Sequence, residues 1–94
     1  MTIIATKELG KRIDVCCIPF EGTYIFIRFG TYFNNIKQKY DTCYVIIGRC
    51  PNQDLILGYY LTEKEASIEI KNMAKAFMNG DKFYKIEQKE KESI

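Results

Sequence analysis

The 94-residue chain contains no histidine and no tryptophan. Histidine is the side chain that most often acts as the base for a serine or cysteine nucleophile, so its absence argues against the common hydrolase arrangements. The six glycines are dispersed along the chain, and none of them forms a glycine-rich phosphate-binding loop. These absences favour a protein that binds without catalysis, and no cofactor is expected.

The spacing of the cysteines does not fit a metal site. The four cysteines are Cys16, Cys17, Cys43 and Cys50, with no Cys-x-x-Cys pair among them. Cys16 and Cys17 are adjacent in a predicted strand, so their side chains would point to opposite faces. We therefore predict no metal site, and we expect reduced cysteines that pack as small apolar side chains.

No apolar run approaches the roughly 20 residues that a membrane-spanning helix needs. Residues 1–8 lack the basic and then apolar pattern of a signal peptide, so we expect a cytoplasmic protein with no membrane contact. The net charge of +2 is too small to indicate a polyanionic partner. An apolar fraction of 47% is nevertheless typical of a folded domain.

Most of the remaining sequence predicts strands. Runs rich in β-branched and aromatic residues occur at positions 12–18, 24–29, 43–49, 55–60 and 82–86. The turn residues at 51–54 predict an antiparallel hairpin between the third and fourth runs, and Gly58 predicts a bulge or a close approach. We interpret residues 31–42 as a loop that contains one turn.

One helix is predicted at residues 62–79. Thr62 is its expected N-cap, Glu65 completes a capping box, and Asn79-Gly80 can end the helix. An apolar stripe at helical spacing contains Ala66, Ile70, Met73 and Phe77. This stripe should cover a sheet.

The resulting fold prediction is α+β, with an antiparallel sheet of about five strands and the amphipathic helix 62–79 packed on one face. Residues 1–86 form a single domain in this prediction, and the charged tail 87–94 is expected to fray. Because one helix covers only one face, the other face or a strand edge is free to bind a partner or a second copy of the chain.

A longer pattern runs through the helix and the strands beside it. It consists of Ile56-Leu57-Gly58-x-Tyr60-x-Thr62-Glu63-x-x-Ala66, then Ile70, Met73 and Ala76, then Asn79-Gly80-x-x-x-Tyr84-x-Ile86. The pattern, which covers about a third of the chain, resembles a group of small uncharacterised proteins of low-GC Gram-positive bacteria and their phages. The resemblance implies a phage or mobile-element accessory protein. From it we expect docking on a larger protein, for example inhibition of a host defence complex such as a CRISPR effector.

Two surfaces could make such a contact. The first combines aromatic residues and lysines in the 31–42 segment, which are Tyr32, Phe33, Lys37, Lys39 and Tyr40. The second is the outer face of the helix, where lysines surround one aliphatic residue: Lys64, Ile68, Lys71 and Lys75. In both cases the alternative is an ordinary solvated surface.

Two other functions remain open. Tyr24, Phe26 and Arg28 alternate onto one strand face and resemble the aromatic core of the RNP1 motif of RNA-recognition domains, although no helix precedes this strand. A nucleic-acid site would use these residues together with Lys37, Lys39 and Arg49. The third function is a binder of small nucleotide ligands at an oligomer interface.

Overall fold

The computed structural model describes residues 1–9 and 11–89, apart from the side chains of Glu8, Leu9, Arg12, Tyr32 and Lys89. This part of the chain contains six strands and one helix. In chain order they are β1 (Thr2–Leu9), β2 (Arg12–Pro19), β3 (Tyr24–Asn34), β4 (Lys39–Cys50), β5 (Gln53–Tyr60), α1 (Glu63–Met78) and β6 (Phe83–Lys89).

The six described strands form two sheets of three. Sheet A has the order β2-β1-β6, and sheet B has the order β3-β4-β5. The predicted α+β class is confirmed, but the prediction of a single antiparallel sheet of about five strands is wrong. Strand β1 had not been predicted, and it pairs in antiparallel fashion with β2 and in parallel with β6.

The parallel pair joins the two ends of the chain. Ile3 lies opposite Ile18 of β2 and opposite Tyr84 of β6. No local sequence signal reports such a distant pairing, which explains why sheet A was not predicted. Strand β6 also continues to Lys89, three residues past the predicted end. The rest of the predicted tail, residues 90–94, lies outside the described residues.

The predicted antiparallel hairpin of β4 and β5 is confirmed. Its register shifts beside Gly58, the residue that predicted a bulge. Ile46 lies opposite Gly58 and Ile47 opposite Ile56, so Leu57 is an extra residue in β5. A Cβ atom at Gly58 would lie only 2.9 Å from the ring of Tyr60. At the bulge the backbone therefore lies so close to the Tyr60 ring that only a residue without a Cβ atom fits at position 58.

The loop predicted at residues 31–42 is wrong, because β3 and β4 continue through it. Their pairing runs in regular register from Tyr24 opposite Arg49 to Asn34 opposite Lys39. Only residues 35–38 remain as the turn. Gln38 adopts a φ of 55° there, a left-handed conformation that the absence of glycine had made hard to predict.

Helix α1 begins and ends where the capping residues predict. The Thr62 hydroxyl oxygen accepts a hydrogen bond from the Glu65 N–H at 3.1 Å, and Gly80 follows the helix with a φ of 81°. The buried face is centred on Ala66, Met73 and Ala76. Phe77, predicted to lie in the stripe, is 42% exposed at its edge.

The two sheets and the helix share one core. Ile3 and Ile86 from sheet A, Ile46 from sheet B and Met73 from α1 are each at most 1% exposed. The described part of the chain has no helix that is both long enough and apolar enough to cross a membrane.

Candidate functional site

We call residues 29–44, the far half of the β3–β4 hairpin, the hairpin arm, and most of its described side chains lie outside the core. The near half contributes Ile25, Ile27 and Ile46 to the core. In the arm, by contrast, Phe29 is 60% exposed and Tyr40 is 72% exposed. Aromatic side chains this exposed, on strands as long as 11 and 12 residues, gain nothing for the fold by burial.

Four aromatic side chains of the hairpin arm form two cross-strand pairs on one face, and all except the half-buried Tyr44 are exposed. Phe29 packs edge-on against Tyr44 with ring centroids 5.4 Å apart, and Phe33 packs edge-on against Tyr40 at 5.2 Å. The register places the pair of Thr31 and Thr42 between them on the same face. We call Phe29, Phe33, Tyr40 and Tyr44 the arm stripe.

The turn at the end of the hairpin arm is held by the side chain of Asn34, which is only 5% exposed. Its Oδ1 accepts hydrogen bonds from the backbone N–H groups of Ile36 at 3.0 Å and Lys37 at 3.1 Å. Its Nδ2 donates to the Asp41 carboxylate at 3.0 Å, and Lys37 forms an ion pair with the same carboxylate at 3.6 Å. The tip is therefore ordered before any partner binds.

The first predicted partner surface divides along this arm. Phe33 and Tyr40 belong to the arm stripe, Lys37 lies in the turn, and Lys39 begins β4. Tyr32 has its backbone in β3, and its side chain is outside the description. Sequence reasoning missed Phe29 as a surface residue and the half-buried Tyr44 as its partner, although the two-residue alternation of β3 continues from 29 to 33 and could have revealed Phe29.

The second predicted partner surface lies where the helical pattern placed it. Lys64, Ile68, Lys71 and Lys75 are all exposed on α1, away from its buried face. Ile68 is 47% exposed and is the single aliphatic residue among these three lysines. This face has no neighbouring aromatic pair comparable with those of the arm stripe.

The predicted nucleic-acid residues form a stacked group on the face of sheet B opposite the core. The rings of Tyr24 and Phe26 are stacked with centroids 5.1 Å apart. The guanidinium groups of Arg49 and Arg28 lie 4.9 Å and 5.7 Å from the centre of the Phe26 ring. We call Tyr24, Phe26, Arg28 and Arg49 the aromatic–arginine ladder. Lys37 and Lys39, predicted to join it, lie at the opposite end of β4.

Asp54 neutralises much of the positive charge of this ladder. Its carboxylate accepts hydrogen bonds from Arg49 Nε at 2.9 Å and Nη2 at 3.1 Å, and from Arg28 Nη2 at 3.3 Å. The hydrogen bond from Arg49 holds the pKa of Asp54 below its usual range. Beneath the ladder, a separate apolar cluster buries Cys43, Val45 and Ile47.

A cleft of about 240 Å³ lies between the two sheets, lined by residues of β1, β2, β5 and β6. The Lys7 ammonium lies 4.2 Å from the centre of the Tyr59 ring at this cleft. Burial raises the pKa of the Tyr59 hydroxyl. A small ligand of the third predicted class would be sought here, although no side chain in the cleft selects a particular ligand.

The four cysteines are free, and they differ in exposure. Cys43 is buried, Cys16 and Cys50 are half-buried, and Cys17 is exposed. Burial raises the pKa of the Cys16 and Cys43 thiols, which favours the unreactive protonated form. Within residues 1–9 and 11–89, no three histidine, cysteine or carboxylate side chains come together as metal ligands would.

Three comparisons with known proteins found no significant match. The chain matches no protein family, and neither the curated proteins nor the solved structures contain a significantly similar chain.

Proposed function

We propose that the protein is a non-catalytic binding protein that docks on a larger protein through the hairpin arm. The observation that carries this proposal is the arm stripe, in which Phe33 is 44% exposed and Phe29 60% exposed beside Tyr40 at 72%. Aromatic side chains are the residues that most often anchor protein interfaces. The partner would offer an apolar groove that accepts the two aromatic pairs.

The geometry of the tip supports the same role. Because Asn34 holds the turn by three hydrogen bonds, little conformational entropy remains to be lost on binding. Ile36, which is 58% exposed, extends the apolar surface to the end of the arm. The alternation of side chains along β4 places Lys39 and Asp41, the ion-pair partner of Lys37, on the other face of the arm, so the contact through the arm stripe would be mainly apolar.

The identity of the partner rests on the resemblance found at residues 56–86. On that basis we place the protein among the cytoplasmic accessory proteins of phages or mobile elements, with a host defence complex such as a CRISPR effector as the partner.

The two candidate surfaces can be separated with matched variants. The arm variant Ile36→Asp/Tyr40→Asp replaces two neutral side chains of the hairpin arm by carboxylates, and the helix variant Ile68→Asp/Lys71→Glu replaces an aliphatic side chain and a lysine of α1 by carboxylates. Affinity capture from the native host, followed by mass spectrometry, should recover one protein with the wild type and the helix variant but not with the arm variant. Loss of that protein with the helix variant alone would assign docking to α1 instead. Circular dichroism should show that both variants fold.

A second function is favoured by the aromatic–arginine ladder. Stacked aromatic rings beside arginines are the usual means of binding single-stranded nucleic acid without sequence preference. This function predicts retardation of single-stranded RNA or DNA at low salt and a steep loss of affinity as salt rises. The absence of retardation at low salt would eliminate it.

A further inference from the structure

Strand β3 is an edge strand that lacks the usual protection against pairing. Within the described residues its only partner is β4, so half of its backbone N–H and C=O groups point away from the sheet. Edge strands are normally shortened, bulged, charged or interrupted by proline. Strand β3 is 11 residues long and in regular register, and it contains no proline.

The other sheet edges differ from β3. Strand β2 is only eight residues long and ends in Pro19. The free edge of β5 faces β6, where the Gln88 side chain hydrogen-bonds the backbone of Tyr59. The single charged residue of β3, Arg28, is held in an ion pair with Asp54 at 3.3 Å and so offers less protection than a free charge.

From this edge we infer that β3 pairs with β3 of a second copy of this chain in an antiparallel, two-fold symmetric dimer. The two copies of sheet B would then form one continuous six-stranded antiparallel sheet. Eleven paired residues at about 3.4 Å per residue would give a contact about 35 Å long with about ten interchain hydrogen bonds. This inference rests on the backbone edge of β3 and not on the partner docking proposed above, although the side chain of Phe29 belongs to both surfaces.

The residues of β3 select one register. Side chains alternate between faces, so the two-fold axis must lie between one residue and the same residue of the second copy. An axis at Phe29 pairs all eleven residues, since Tyr24 and Asn34 then lie opposite each other. An axis at Arg28 would place two arginines directly opposite each other, which is unfavourable. The inferred register therefore places Phe29 opposite the second copy's Phe29, an aromatic pair across the interface.

The oligomeric state tests the dimer directly. Sedimentation equilibrium of the purified wild type at micromolar concentration should give twice the 11.0 kDa chain mass. Phe29→Lys places two ammonium groups at the axis and should raise the dimer dissociation constant at least tenfold. Ile68→Lys makes the same exchange on α1 and should leave the dissociation constant unchanged. A monomeric wild type, or a Phe29→Lys variant as dimeric as the wild type, would overturn the inference.

Cysteine cross-linking tests the register. In a Cys17→Ser background, which removes the exposed native thiol, Phe29→Cys should form an interchain disulfide on mild oxidation. Thr31→Cys should not, because the two copies of residue 31 would be separated by four residues along the strands, or about 13 Å. Cross-linking at position 31 but not at position 29 would disprove the inferred register.

Discussion

The Gln88 side chain completes the hydrogen bonding of the Tyr59 backbone, as a neighbouring strand would. Gln88 Oε1 accepts from the Tyr59 N–H at 2.7 Å, and Gln88 Nε2 donates to the Tyr59 carbonyl at 2.6 Å. The residue pair joins β6 of sheet A to β5 of sheet B. Among the described strands, β5 and β6 are not paired through their backbones, so this side chain forms the hydrogen-bonded connection between them.

Removal of this amide should loosen the contact between the sheets. Gln88→Ala leaves a half-buried N–H and C=O at Tyr59 without their partner, so we expect the free energy of unfolding to fall by about 1–3 kcal/mol. Gln88→Glu should also be destabilising, because a carboxylate cannot donate to the Tyr59 carbonyl. Urea unfolding followed by circular dichroism measures both effects. The control is Gln53→Ala at an exposed position, and an equal loss of stability there would contradict the assignment.

Two glycines in sheet B should respond differently to alanine. A Cβ atom at Gly58 would lie 2.9 Å from the Tyr60 ring, whereas at Gly30 the nearest atom is Val45 Cγ2 at an ordinary 3.6 Å. We expect Gly58→Ala to lower the free energy of unfolding by about 1–3 kcal/mol through overpacking. Gly30→Ala should leave it unchanged or raise it by up to about 1 kcal/mol. Thermal unfolding compares the two variants, and equal effects would show that the bulge at Gly58 does not require glycine.

The Glu69 carboxylate predicts how stability depends on alkaline pH. It accepts hydrogen bonds from the hydroxyl groups of Tyr60 on β5, at 3.0 Å, and Tyr84 on β6. Burial, together with this carboxylate, raises the pKa of both tyrosines well above the ordinary value. The folded state therefore keeps protons that the unfolded chain releases above about pH 10.

The stabilisation from these two hydroxyl groups should be complete below pH 10 and decline as the pH rises further. The slope is at most about 1.4 kcal/mol per pH unit for each tyrosine. Urea unfolding of the wild type and of Tyr60→Phe/Tyr84→Phe between pH 8 and pH 11 isolates their share. The stability difference between the two proteins should shrink above pH 10. A difference independent of pH would contradict the raised pKa values.

Local signals predicted the local parts of this fold. The N-cap at Thr62, the glycine after α1 and the turn before β5 each depend on residues a few positions apart, and these elements are confirmed. Sheet A depends instead on pairing between β1 and β6 at the two ends of the chain. Residues 2–9 contain β-branched residues, but alanine, lysine and glutamate are disfavoured in strands, so β1 depends on pairing with β2 and β6.

Local sequence patterns also predicted part of the arm stripe. Phe33 and Tyr40 were selected because aromatic residues alternate with lysines there, and both lie on the arm stripe. The segment was nevertheless interpreted as a loop, because Asn34-Asn35 suggests a turn. Only the structure shows that the Asn34 side chain closes a tight turn between two long strands. The exposure of Phe29 follows from how far α1 reaches along the sheet, which the sequence does not encode locally.

The proposed binding of nucleic acid by the aromatic–arginine ladder predicts that Asp54 opposes it. Its carboxylate holds both arginines, so phosphate groups must compete with it for the guanidinium groups. Asp54→Asn removes the negative charge while keeping the shape of the side chain. If the ladder binds single-stranded nucleic acid, the variant should bind at least several-fold more tightly, with a salt slope steeper by about one phosphate contact.

Gel retardation of a single-stranded oligonucleotide at several salt concentrations measures both quantities. The control is Asp81→Asn, which makes the same charge change at an exposed position after α1. Equal gains from the two variants would show a general effect of net charge, and no gain from Asp54→Asn would contradict nucleic-acid binding by the ladder.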